Sequence, residues 1–129
     1  KEYGLEDMVT FTGQVTMEEL VKCYSTSEIA VVPSLYEGFG FPAAEAMSCK
    51  LPVVATRGGA LPEVVGQDGD AGILVPPGNP GDLAAAIKRL LSDEPLRQKM
   101  GEAGRKRIEQ NFTWEQAAKK VLKVYEELL

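Results

Sequence analysis

The 129-residue chain contains no histidine. That absence removes Ser-His-Asp and Cys-His catalysis, His-ligated zinc and any histidine pH switch. Cysteine is nearly as scarce. Cys23 and Cys49 have neither metal-ligand spacing nor the density of a secreted disulfide scaffold, so the sequence predicts two buried thiols without a redox role. No apolar run approaches the ~20 residues of a membrane span, and no basic-then-apolar stretch opens the chain as a signal peptide does; the expected address is the cytoplasm. Basic charge is sparse where it would matter for nucleic acid: residues 1 to 79 carry 4 basic and 11 acidic side chains, residues 80 to 129 carry 10 and 8. Nucleic-acid binding is disfavoured, and Arg105-Lys106-Arg107 and Lys119-Lys120 read as solvated helix faces. What remains, at 44% hydrophobic and 26% charged residues in 14.0 kDa, is the composition of one small globular domain spanning residues 1–129.

Along the chain, Lys1 to Leu5 read as a helix tail closed by Gly4 in a left-handed cap. Short β-branched or apolar runs at Val9 to Phe11, Ile29 to Pro33, Pro52 to Thr56 and Gly72 to Val75 predict four strands. Met17 to Ser25, Pro42 to Cys49 and Leu61 to Val65 predict the helices between them. The alternation is β-α-β-α-β-α-β, which implies an α/β fold with a parallel, half-Rossmann sheet covered on both faces. After Val75 the turn Pro76-Pro77-Gly78-Asn79 leads into a C-terminal helical extension. Asn79 and Pro80 start one helix, with a stripe of Leu83, Ile87, Leu90 and Leu91, and Pro95 opens a second that ends near Asn111. Thr113 and Gln116 form a capping box for a last helix with Trp114, Ala117, Ala118, Val121, Leu122, Tyr125 and Leu128 along one face.

The segment from Pro33 to Met47 carries the chemistry. It runs from the end of a strand into a helix, where open α/β sheets bind ligands. Gly38 and Gly40 let the backbone approach a ligand closely, and Pro42 suits a first helical turn. The N–H groups near Phe39, Gly40 and Phe41 would face a ligand at the positive end of the helix dipole, holding an anion without a lysine. Glu37 and Glu45 flank that helix start. Carboxylates aimed at an anion site suit a ligand that offers both phosphate and hydroxyls, as sugars and ribose do; equally, Glu37 can be an exposed loop residue and Glu45 a complement to the helix dipole. A second glycine pair, Gly58-Gly59, follows the next strand and can face the same cleft. Asp68-Gly69-Asp70-Ala71-Gly72 lacks the alternating ligands and closing glutamate of a calcium loop and reads as a turn.

The run from Glu37 through Gly-Phe-Gly-Phe-Pro-Ala-Ala to Glu45-Ala-Met resembles the E-x7-E motif of retaining GT-B glycosyltransferases of family 4, the group 1 glycosyltransferases. Phe11-Thr-Gly13, Val32-Pro-Ser34, Pro52-Val-Val-Ala55, Gly58-Gly59 with Pro62 to Val65, Gly72 to Pro76 and Phe112-Thr-Trp114 follow in the order of that family, so the resemblance covers essentially the whole chain. It implies the C-terminal, donor-binding domain of a transferase that moves a sugar from a nucleoside diphosphate sugar with retention of configuration. No cofactor and no metal are implied. By the same resemblance Glu37 contacts donor-sugar hydroxyls and is the catalytic candidate, Glu45 contacts the ribose, and Gly38, Phe39, Gly40 and Phe41 contact sugar and distal phosphate. Gly58 and Gly59 shape the cleft.

Departures from the family pattern set further expectations. The family's first two strands, with a Gly-Arg and a following lysine that neutralise the diphosphate, have no counterpart here, and neither does the N-terminal acceptor domain. The chain is thus expected to be an N-terminally truncated donor domain with little or no transferase activity of its own. An uncovered sheet edge or the last helix is expected to pair in a homodimer. In the full-length enzyme the expected address is the cytoplasm or the inner membrane surface. A non-catalytic binding or assembly module derived from the domain, and another enzyme on the same scaffold, are the alternatives the residues leave open.

Overall fold

The computed structural model describes residues 3–66, 69–111, 118 and 122–127. Its elements run α1 (Met17–Thr26), β1 (Ala30–Val32), α2 (Phe41–Ser48), β2 (Val53–Thr56), α3 (Leu61–Val65), β3 (Gly72–Val75), α4 (Pro80–Leu91) and α5 (Glu94–Asn111). The three strands form one parallel sheet in the order β1-β2-β3, with Ala30 opposite Val53 and Val53 opposite Gly72. Central β2 is buried at every residue. Side-chain alternation divides it between two apolar layers. Val53 and Ala55 pack with Met47 of α2 and with Leu61 and Val65 of α3. Val54 turns to Ala86 and Leu90 of α4 and Met100 of α5. The sheet is therefore covered on both faces, as the near-continuous apolar strands require.

Three strands are seen where four were expected. Val9–Phe11 joins no ladder among the described residues, and Phe11 is 95% exposed. The reason is positional. In a doubly wound sheet of strand order 3-2-1-4-5-6, a third strand lies beyond the second, separated from the fourth by two others. Val9–Phe11 precedes α1 as a third strand would, and the described residues hold no strand to stand between it and β1. A strand without a hydrogen-bonding neighbour is not one.

Local signals set most boundaries. Thr16 accepts from the N–H of Glu19 while Glu19 accepts from that of Thr16, a capping box that starts α1. Asn79 accepts from the N–H of Asp82 at 3.0 Å to start α4. Gly4 has φ +65°, as the cap expected there needs. Helix α2 closes with Lys50 N–H on Met47 O and Leu51 N–H on Ala46 O, the Schellman pattern, which forces Lys50 to φ +62°. Helix α5 seats against this corner: a Cβ on Gly101 would lie 2.1 Å from Lys50 O, and one on Gly104 3.4 Å from Met47.

The thiols differ from expectation. Cys23 is exposed and Cys49 half-buried, both unpaired. Helix α1 has no fully buried residue: Met17 and Val21 stay exposed, while Leu20 and Tyr24 are half-buried and Tyr24 packs against the core. The capping box at Thr113 and Gln116, with Phe112, Trp114, Ala117, Val121 and Leu128, lies outside the described residues; residues 122–127 are helical, with Leu122 and Tyr125 exposed.

Candidate functional site

The loop from Pro33 to Gly40 carries the strand end into α2. Gly40 is the N-cap, buried with φ +74°, and no side chain caps the helix. The backbone N–H groups of Phe39, Gly40 and Phe41 make no hydrogen bond to any described residue. These are the free donors that the sequence anticipates at a helix start. The Phe39 and Phe41 rings stack with centroids 5.4 Å apart and are largely exposed beside those donors.

Each glutamate is held by a hydroxyl through one carboxylate oxygen. Ser34 Oγ donates to Glu37 Oε2 at 3.0 Å, and the Thr56 hydroxyl at the end of β2 donates in turn to Ser34 O. Tyr24 OH, on α1, donates to Glu45 Oε2 at 3.0 Å. Burial pushes the Tyr24 phenol up to about 12, helped by the hydrogen bond to Glu45 and by that carboxylate's charge. The second oxygen of each glutamate, Oε1, has no hydrogen bond to a described residue.

The second glycine pair supports the first loop from behind. Ala60 N–H donates to Glu37 O at 2.8 Å. A Cβ on Gly59, which has φ +57°, would lie 2.2 Å from Glu37 O, and a Cβ on Gly58 2.6 Å from Leu35 O. Backbone lies on backbone here, and only glycine permits it. Gly58 and Gly59 thus fix where Glu37 stands.

Two concavities adjoin these residues. A groove of about 470 Å³ runs between α2, α3 and α5, lined by Gly38, Phe39, Phe41, Glu45, Glu63 and Ile108 among others. A smaller one of about 220 Å³ lies at the carboxyl ends of the strands, beside Pro33, Leu35, Thr56 and Asn79. Of the residues singled out in the sequence, Gly38, Phe39, Phe41 and Glu45 share the larger groove, whereas Glu37, Gly40, Gly58 and Gly59 do not line it. Tyr24, Ser34 and Thr56 were not assigned a role from the sequence. The Thr16-x-x-Glu19 capping box fixes the register of α1, but only the tertiary fold brings Tyr24 to Glu45.

Residues 1–107 match the family model described as glycosyl transferases group 1. The chain belongs to the group 1 glycosyltransferases. It is 41% identical over 128 residues to an MMP alpha-(1->4)-mannosyltransferase of Mycolicibacterium hassiacum, covering 99% of this chain and 31% of that protein. Among solved structures it superimposes with TM-score 0.88 and 42% identity on a sucrose-phosphate synthase from Thermosynechococcus elongatus, over 98% of this chain and 32% of the other. A third similarity is to the Anabaena protein HepE in complex with UDP-glucose, with TM-score 0.86, 25% identity and coverage of 98% and 34%. The chain spans about a third of the length of these similar proteins. The α/β architecture, with its parallel sheet and flanking helices, is that of GT-B glycosyltransferases.

Proposed function

We propose that the chain is the C-terminal donor-binding part of a family 4 glycosyltransferase that transfers a sugar from a nucleoside diphosphate sugar with retention of configuration. One observation carries this reading: two tethered carboxylates flank a helix start whose N–H groups are unengaged. Amides at the positive end of α2 suit the distal phosphate and the sugar, and the free Oε1 atoms of Glu37 and Glu45 suit hydroxyl donors. Glu37 then takes the donor-sugar hydroxyls and Glu45 the ribose. The reaction rests on stabilising a departing diphosphate, electrostatic work for which oriented backbone amides need no rearrangement. The likeness to HepE, whose structure holds UDP-glucose, supports a nucleotide-sugar ligand.

Partners and setting follow. The acceptor is held by an N-terminal domain of the longer protein, in keeping with relatives about three times this length. Unpaired Cys23 and Cys49 suit the cytoplasm, and no helix among the described residues is long and apolar enough to cross a membrane. By themselves the 129 residues pair as a homodimer through the open β1 edge or the last helix.

The test is a calorimetric titration of the purified chain with UDP, GDP, ADP and their sugar conjugates, repeated on Glu45→Ala. One nucleotide is expected to saturate the wild-type chain, with a Kd about tenfold or more weaker in the variant, as for loss of a hydrogen bond to a charged group. The same samples are expected to show no sugar transfer. Equal affinity in both proteins, or binding of none of the nucleotides, overturns the assignment.

A further inference from the structure

The tether on Glu45 has a role of its own. We propose that Tyr24 is a positioning residue for ribose recognition: its hydroxyl fixes one oxygen of Glu45 so that the other is presented to the ribose hydroxyls. The inference rests on the reading of Glu45 as the ribose contact.

The argument starts from geometry. A glutamate on a half-exposed helix face has three rotatable bonds and must give up that freedom to hold a ligand. The 3.0 Å bond from Tyr24 to Oε2 removes much of the freedom beforehand and leaves Oε1 without a partner among the described residues. The Tyr24 ring is seated against the apolar layer of Met47, Leu61 and Val65, so the hydroxyl is delivered from a fixed platform. With its phenol raised to about 12, Tyr24 keeps its proton and donates throughout the physiological range. A carboxylate that already accepts one hydrogen bond in a set direction is preorganised for a second.

The same bond ties α1 to α2, so loss of stability alone does not separate positioning from scaffolding. Discrimination between ribose and deoxyribose does. The Kd of the 129-residue chain is measured by calorimetry for UDP, GDP and ADP and for each 2′-deoxy counterpart, in wild type, Glu45→Ala and Tyr24→Phe, with melting curves alongside. In the wild type the ribonucleotide is expected to bind about tenfold tighter than its deoxy form, a ratio that Glu45→Ala brings close to one. Tyr24→Phe removes only the hydroxyl and is expected to cut the ratio to about threefold or less, with the deoxynucleotide Kd unchanged. A ratio restored by 4-aminophenylalanine at position 24, which keeps a donor on the same ring, is the matching positive result and the readout to use if Tyr24→Phe does not fold.

A ratio abolished by Glu45→Ala but untouched by Tyr24→Phe, or no restoration by 4-aminophenylalanine, overturns the role of Tyr24 and leaves that of Glu45 standing. No ribose preference in the wild type, or a preference indifferent to Glu45→Ala, overturns the reading of Glu45, and the inference about Tyr24 falls with it.

Discussion

Tyr24 joins the chemistry of the site to the stability of the fold. Its phenol is raised from an ordinary 10.0 to about 12, by burial first and by the bond to Glu45 second. A folded-state pKa above the unfolded one gives stability that is complete below pH 10 and lost as the pH climbs through 12. Tyr24→Phe is therefore expected to lose melting temperature less steeply than wild type between those values, measured by circular dichroism. Parallel slopes for the two proteins would show that the shift is not linked to folding. Residues of this kind mark the limit of what the sequence reveals. Glu37, Gly38, Phe39, Gly40, Phe41 and Glu45 could be singled out as candidates because they sit on one continuous strand-to-helix segment, although Glu37 and Gly40 do not line the larger groove. Tyr24 and Thr56 could not be, because their partners lie 21 and 22 positions away and only the packed fold makes the pairs. Cys23 misled for another reason: a lone cysteine without metal or disulfide spacing suggests a buried thiol, yet α1 buries none of its residues fully and only its Leu20 and Tyr24 side reaches the core.

At the scale of elements, the corner between α2 and α5 is the most demanding contact. Gly101 lies where any Cβ would sit 2.1 Å from Lys50 O, at a turn already held at φ +62° on a lysine. Gly101→Ala should therefore force α5 off α2 and lower stability by about 1–3 kcal/mol, the usual cost of overpacking, in a urea titration. A variant as stable as the wild type would mean the corner can relax. Helices were well read from sequence here because caps and periodicity are local: α3 was placed at Leu61–Val65 and the starts of α1 and α4 at Met17 and Pro80. Val9–Phe11 was not, since a strand depends on its neighbour as much as on its residues.

For the molecule as a whole, the described surface is rich in large apolar side chains: Met8, Phe11, Met17, Leu35, Tyr36, Phe39 and Phe41 are all more than 60% exposed. Such a surface is expected to draw two copies together when the 129 residues are isolated, so sedimentation equilibrium should report a dimer at high concentration; a monomer throughout would count against pairing. The sheet's two covered faces were legible from the continuous apolar strands, whereas this exposed surface was anticipated only in part, as an uncovered sheet edge or the face of the last helix. Within it, the two carboxylates remain moored separately, Glu37 to Ser34 in its own loop and Glu45 to Tyr24 on a different helix. No side chain serves both moorings, so substitution at one leaves the other in place. On the proposed reading of the two glutamates, a lineage carrying this fold can retune one end of its ligand while the other end stays in register.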